Sequence, residues 1–156
     1  MGWNEIASLV REQAPVLHAA LLPPVDVRIA GLPSDLAAWW KVFGGVDRAA
    51  LGDDSPLIPL HWHPLDTESA VLRREETRIP IAVDCYDEDL LFVSLVDGSV
   101  FSADASEWPS VTAMLDHVQR MFERDDDPAY RLLRYEDGHI NWDTRPTLTP
   151  GSHGVR

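Results

Sequence analysis

The side chains whose types and spacing could do chemistry begin with His61-Trp62-His63. On an extended strand, alternate side chains point the same way, so two imidazoles at this spacing could share a metal ion. No third ligand is evident beside them, and histidines flanked by Pro59 and Pro64 read as surface or packing residues, so no metal site is assigned. Asp84, Asp87 and Asp89 have the spacing of calcium-loop carboxylates, but no glycine stands where such a loop needs its sharp turn. Cys85, the single cysteine, lies beside Asp84, Asp87 and Glu88, whose negative charge suppresses the reactive thiolate. The chain has no Gly-x-Ser-x-Gly elbow, no phosphate-cradling glycine loop and no His-Glu-x-x-His. Acidic pairs such as Asp53-Asp54 are too abundant here for any one to mark general acid-base catalysis. The expectation is a non-enzymatic protein without a cofactor.

What the chain has in excess is negative charge. Its 156 residues hold 26 acids against 13 Lys and Arg, a formal net charge of -13. Phosphate binding draws on clustered cations, so nucleic acid is excluded as a direct ligand, and an anionic membrane surface is excluded for the same reason. Residues 79 to 119 contain no Lys or Arg but eight acids, among them Asp84, Asp87, Glu88, Asp89 and Asp104. Such a block either keeps a surface hydrated or complements a basic protein. With one cysteine, no basic leader and no long apolar run, the chain reads as soluble and cytoplasmic.

The elements that must carry these residues are legible from periodicity. Trp3 to Leu21 reads as helix interrupted at Pro15, and Val25 to Ile29 as a short strand or extended link. In Ser34 to Phe43, Leu36, Trp39, Trp40 and Phe43 make one apolar stripe, with Ser34 as the expected cap and Gly44-Gly45 as the stop. Residues 46 to 56 read as loop. Leu57 to Leu65, broken by two prolines, reads as an edge strand, and Thr67 to Glu76 as a helix capped by Thr67. A meander follows: Ile79–Val83, Leu90–Val96 and Ser99–Ala103. Its Asp97-Gly98 turn should pair Val96 with Ser99 and Leu95 with Val100, placing Leu91, Val93, Leu95 and Val100 on one face. The opposite face, with Leu90, Phe92, Val96 and Phe101, should be covered by part of the C-terminal tail, the alternative being an exposed binding patch. A last helix runs from about Ser106 or Pro109 to Glu123 with Trp108 on its apolar side, followed by the Asp125-Asp126-Asp127 run. A strand pair then surrounds Asp137-Gly138. Of the six tryptophans, Trp39 and Trp108 fall on buried helix faces, while Trp62 and Trp142 are freer to anchor an interface.

Two blocks in this order resemble the SUKH superfamily, which includes bacterial immunity proteins and yeast cell-wall-synthesis regulators. The first is the Leu32-Pro33-Ser34-Asp35-Leu36 helix ending at Phe43 and Gly44. The second is Ile79-Pro80-Ile81-Ala82-Val83-Asp84, then Asp89 to Leu95, then Asp97-Gly98-Ser99-Val100. The chain departs from the family at the turn, where Glu88 precedes Asp89 in place of glycine. The resemblance spans residues 30 to 122.

Periodicity and resemblance together point to an α+β fold: a single SUKH-like domain over residues 1–146, its helices packed on one face of a mixed, mostly antiparallel sheet, with 147–156 a frayed tail. The resemblance implies an interaction protein, and for bacterial members an immunity protein that neutralises a cognate toxin. The acidic block fits a basic toxin such as a nuclease, met through Asp53, Asp54, Trp62, Asp84, Asp87, Glu88, Asp89 and Asp104. The alternatives are an intracellular scaffold or regulator of the cell-wall type, and a metal-dependent hydrolase resting on His61 and His63.

Overall fold

The computed structural model of the chain describes residues 3–86 and 88–145. Pro15 lacks an amide hydrogen and cannot continue a helix, but it suits the first position of a new one. The expected interruption therefore yields α1 (Asn4–Gln13) and α2 (Pro15–Ala19). An extended link without strand pairing follows, with the Val25 N–H donating to Trp40 O at 2.8 Å. Next come α3 (Ser34–Trp40) and a four-residue helix, α4 (Arg48–Leu51), inside the segment expected to be loop. Asp47 caps α4 by accepting the Ala50 N–H, a local bond too short-range to show in apolar periodicity.

Five strands form one antiparallel sheet in sequence order: β1 (Trp62–Pro64), β2 (Arg78–Asp84), β3 (Leu90–Ser94), β4 (Val100–Ser102) and β5 (Ser106–Trp108), with α5 (Thr67–Leu72) between β1 and β2. The helix α6 (Val111–Glu123) and a separate hairpin, β6 (Tyr130–Arg134) with β7 (Ile140–Thr144), complete the α+β domain. The sheet face carrying Ile79, Leu91, Val93 and Val100 is fully buried, and so are Val111, Met114, Leu115 and Val118 of α6. On the opposite face Phe92 stacks on Phe101 at 5.7 Å and Arg78 lies 3.9 Å over the Phe92 ring, while Val96 is exposed. The tail from residue 146, expected to cover that face, lies outside the described residues.

Several boundaries differ from the expected ones for identifiable reasons. Ser34 does not cap α3; Pro33 stands at the cap position, and α3 stops at Trp40. Asp35 is instead drawn across to α6, where its carboxylate accepts the Thr112 N–H at 3.0 Å and the Thr112 hydroxyl at 3.1 Å at the positive end of that helix. Asp66, not Thr67, caps α5, because Thr67 turns its hydroxyl to Gly44 O. Ser106 to Trp108 form an edge strand, and α6 begins only after the Ser110 cap.

The β3–β4 turn is wider than two residues. Ser94 Oγ accepts the N–H groups of Val96 and Asp97, and Asp97 accepts both the N–H and the hydroxyl of Ser99. Val93 therefore pairs with Val100, two residues from the expected register. A shift of two preserves which side chains share a face.

Gly44 and Gly45 join these parts. A Cβ on Gly44 would lie 2.6 Å from Pro23 O, and one on Gly45, whose φ is +105°, would lie 2.1 Å from Leu65 O. Gly45→Ala should therefore cost about 3 kcal/mol or more, from left-handed backbone strain plus displacement of residues 65–66. Trp39 is fully buried and meets Phe43 edge to face at 5.9 Å. Trp39→Ala should cost about 3 to 5 kcal/mol by leaving a cavity. Chemical denaturation of each variant checks both values.

Candidate partner-binding site

Because the five strands are antiparallel and follow one another in sequence, their connections alternate between the two ends of the sheet. The segment entering β1, the β2–β3 turn and the β4–β5 turn fall at one end. That end gathers Asp53 and Asp54, then Asp84, Glu88 and Asp89, then Asp104. Asp97 falls at the other end, in the β3–β4 turn. Asp87 lies outside the described residues.

Two anchors hold this end. Arg48 on α4 donates to Gly52 O at 2.8 Å, to Asp53 Oδ1 at 3.0 Å and to Cys85 O at 3.0 Å, tying the loop before β1 to the β2–β3 turn. Asp84 is buried, and its Oδ1 accepts the Glu88 N–H at 2.7 Å and the Asp89 N–H at 3.3 Å. The expectation of Asp84 as a contact residue is thus corrected: its carboxylate shapes the turn that leaves Glu88 and Asp89 in solvent. Asp54 and Asp104 are exposed, and Asp53 is exposed although paired to Arg48. Burial, and then the neighbouring Asp84 charge, push the Cys85 thiol above its ordinary value, which holds it in the unreactive form.

Trp62 and Trp142 do not stand free. Trp62 is 4% exposed; its backbone exchanges two bonds with Ile58, and its ring meets that of His61 at 4.7 Å. Trp142 is 7% exposed and donates its indole N–H to Pro56 O at 2.7 Å. Trp108 is half-buried on β5 rather than on a helix. His61 and His63 do not share a side: His61 is exposed against the Trp62 ring, whereas His63 is fully buried and donates from Nε2 to Asp53 O at 3.2 Å. Among the described residues, no group of three or more His, Cys, Asp and Glu is placed to hold a metal ion.

Two pairings escaped the sequence reading. Ser55, fully buried at a φ of 62°, accepts the Ile140 N–H at 3.0 Å and shares a hydrogen bond with His139 Nδ1 at 2.8 Å. A Ser-His contact can serve nucleophilic catalysis, but this hydroxyl is closed to any substrate and staples the β6–β7 hairpin to the loop carrying Asp53 and Asp54. The second is a chain of rings and a carboxylate centred on His117, midway along α6. The Trp108 indole N–H donates to His117 Nδ1 at 3.2 Å, so the imidazole proton sits on Nε2 and donates to Asp127 Oδ2 at 2.8 Å. The Asp125–Asp127 run is therefore structural: Asp125 accepts the Leu132 N–H and pairs with Arg145, and Asp126 pairs with Arg120. Only the three-dimensional return of β5 and β6 to α6 reveals these partners.

Comparison of the chain with protein-family models, with curated proteins and with solved structures gives no match. Among the described residues, no helix is long and apolar enough to cross a membrane.

Burial opposes ionisation of Asp127, but the Ala129 N–H and His117 outweigh it and hold its carboxyl below the ordinary 3.8. A depressed carboxyl contributes stability that is present above the unfolded value and lost as pH falls through the native one. Asp127→Asn should thus cost about 1 to 2 kcal/mol at pH 7. The gap to wild type should close below the ordinary value of 3.8, as read by denaturation across pH.

Proposed function

We propose that this chain is a non-enzymatic interaction protein of the immunity type, binding a basic toxin domain and blocking its cationic surface. The observation that carries this reading is the gathering of Asp53, Asp54, Glu88, Asp89 and Asp104 on three connections at one end of the sheet. The intervening 79–119 stretch offers no Lys or Arg to neutralise them. Arg48 and Asp84 hold two of these connections, the loop before β1 and the β2–β3 turn, in place before any partner arrives, so little ordering entropy opposes binding there. The resemblance of the Leu32–Gly44 and Ile79–Val100 blocks to the SUKH superfamily supports the same class. A nuclease that grips phosphates would present the complementary charge. Such an inhibitor acts stoichiometrically, saturating near one equivalent.

The test uses as partner the delivered toxin that this reading expects the flanking genes to encode. Changing Asp54, Glu88, Asp89 and Asp104 together to Lys should leave melting nearly unchanged, since none of these side chains is buried. It should slow association about ten-fold or more at low salt. Added salt should narrow the difference, because screening at physiological ionic strength acts over about 8 Å. Stopped-flow association reads both effects. An unchanged on-rate at low salt, or flanking genes that encode no delivered toxin, removes the reading.

A further inference from the structure

The acidic sheet end can steer a partner, but exposed charges hold it only weakly. We propose that the trough between residues 22–29 and α5 is the anchoring half of the same surface, and that it receives the apolar face of a basic amphipathic segment of the partner protein. This rests on the basic-partner reading above and adds to it a second, apolar contact.

The trough encloses about 600 Å³ and is almost wholly apolar. One wall is the extended link, where Val25, Val27 and Ile29 line the trough. Asp26 and Arg28, at the alternate positions, pair with each other at 2.9 Å outside the lining. The other wall is α5, with Val71 and Leu72. Leu72 is 79% exposed and Val25 38% exposed, so two large apolar side chains flank an open apolar groove rather than standing singly on a surface.

Charge decides the occupant. The charged residues in the lining are Asp66 and Glu68, with no Lys or Arg. A second copy of this chain would set a net charge of -13 against another -13, and an anionic bilayer would be repelled likewise. A segment with leucine-like anchors on one face and Lys or Arg on the other satisfies both the walls and the rim. The trough lies on the β1–β2 connection, toward the opposite end of the sheet from the exposed acids, and a depression along β1 links the two. A second, more polar depression shares Leu22 and Asp66 with it and extends to Arg48, the residue that binds Asp53 and the Cys85 carbonyl. One partner can therefore be steered by the sheet end and seated in the trough.

The probe is a synthetic Lys/Leu peptide with leucines at i, i+3, i+4 and i+7, compared with the same composition in scattered order and with a version carrying Glu for Lys. Binding is followed by backbone amide shifts of the labelled protein. The patterned basic peptide should perturb Val25, Val27, Gly44 and Leu72. Leu72→Asp should weaken it by about ten-fold or more, although the added negative charge favours a cation, which separates apolar anchoring from steering. Because Leu72 is so exposed, the variant should melt as wild type does. Val25→Asp is the second variant and should act in the same direction.

Shifts confined to the acidic end and indifferent to Leu72→Asp would overturn the trough proposal while leaving the basic-partner reading standing. Equal binding of the scattered peptide or of the Glu version would overturn it as well. A dimer that dissociates on Leu72→Asp, seen by light scattering, would assign the trough to a second copy. Absence of any shift would remove both the trough proposal and the basic-partner reading.

Discussion

At Gly44-Gly45 three stretches of backbone meet with no side chain between them. The Gly44 N–H donates to Leu22 O at 3.0 Å, the Leu22 N–H to Gly45 O at 2.9 Å, and the Thr67 N–H and hydroxyl both to Gly44 O. Each such bond contributes about 1 kcal/mol net, but leaving any of these buried groups unpaired would cost more. The end of α3, the extended link and the start of α5 are joined there, beside the fully buried Trp39 and Trp40. Both walls of the apolar trough hang from this junction. The exit from β1 lies beside it too, where the Leu65 N–H donates to Ile81 O of β2 at 2.9 Å.

A chain this acidic divides its carboxylates between two uses. Asp35, Asp84, Asp125 and Asp127 are turned inward to accept N–H groups or meet His and Arg; Asp35 reaches from α3 across to α6, whereas Asp84 closes its own turn. Carboxylates serve well here because a charged acceptor makes a stronger hydrogen bond than a neutral one. Asp54, Glu88, Asp89 and Asp104 remain in solvent. Of the four inward-turned acids, Asp84 is the one that shapes a turn carrying two of them, Glu88 and Asp89.

Patterns with short range were legible in the residues alone. The break at Pro15, the apolar stripe Leu36–Trp39–Trp40–Phe43, the meander from Ile79 to Val100 and the hairpin around Asp137-Gly138 all follow from proline chemistry, periodicity of 3.6 or 2, and turn residues. The α5 cap slipped by a residue because a distant group took the expected side chain, as Gly44 O does the Thr67 hydroxyl. The acidic block between residues 79 and 119 was equally plain as composition.

What composition could not state is which acids meet, because that depends on alternation of connections across an antiparallel sheet. Asp53 and Asp104 are some fifty positions apart in sequence and share one sheet end, while Asp97 goes to the other. Exposure was also decided by tertiary contact: Trp62 and Trp142 are buried, the Trp142 indole donating to Pro56 O, and Leu72 and Val25 are left exposed on the two walls of one trough. Local propensity sets how a segment folds on itself, from interactions within a few residues. The neighbours that bury a ring or leave a trough open come from segments tens of residues away, and only the packed chain brings them together.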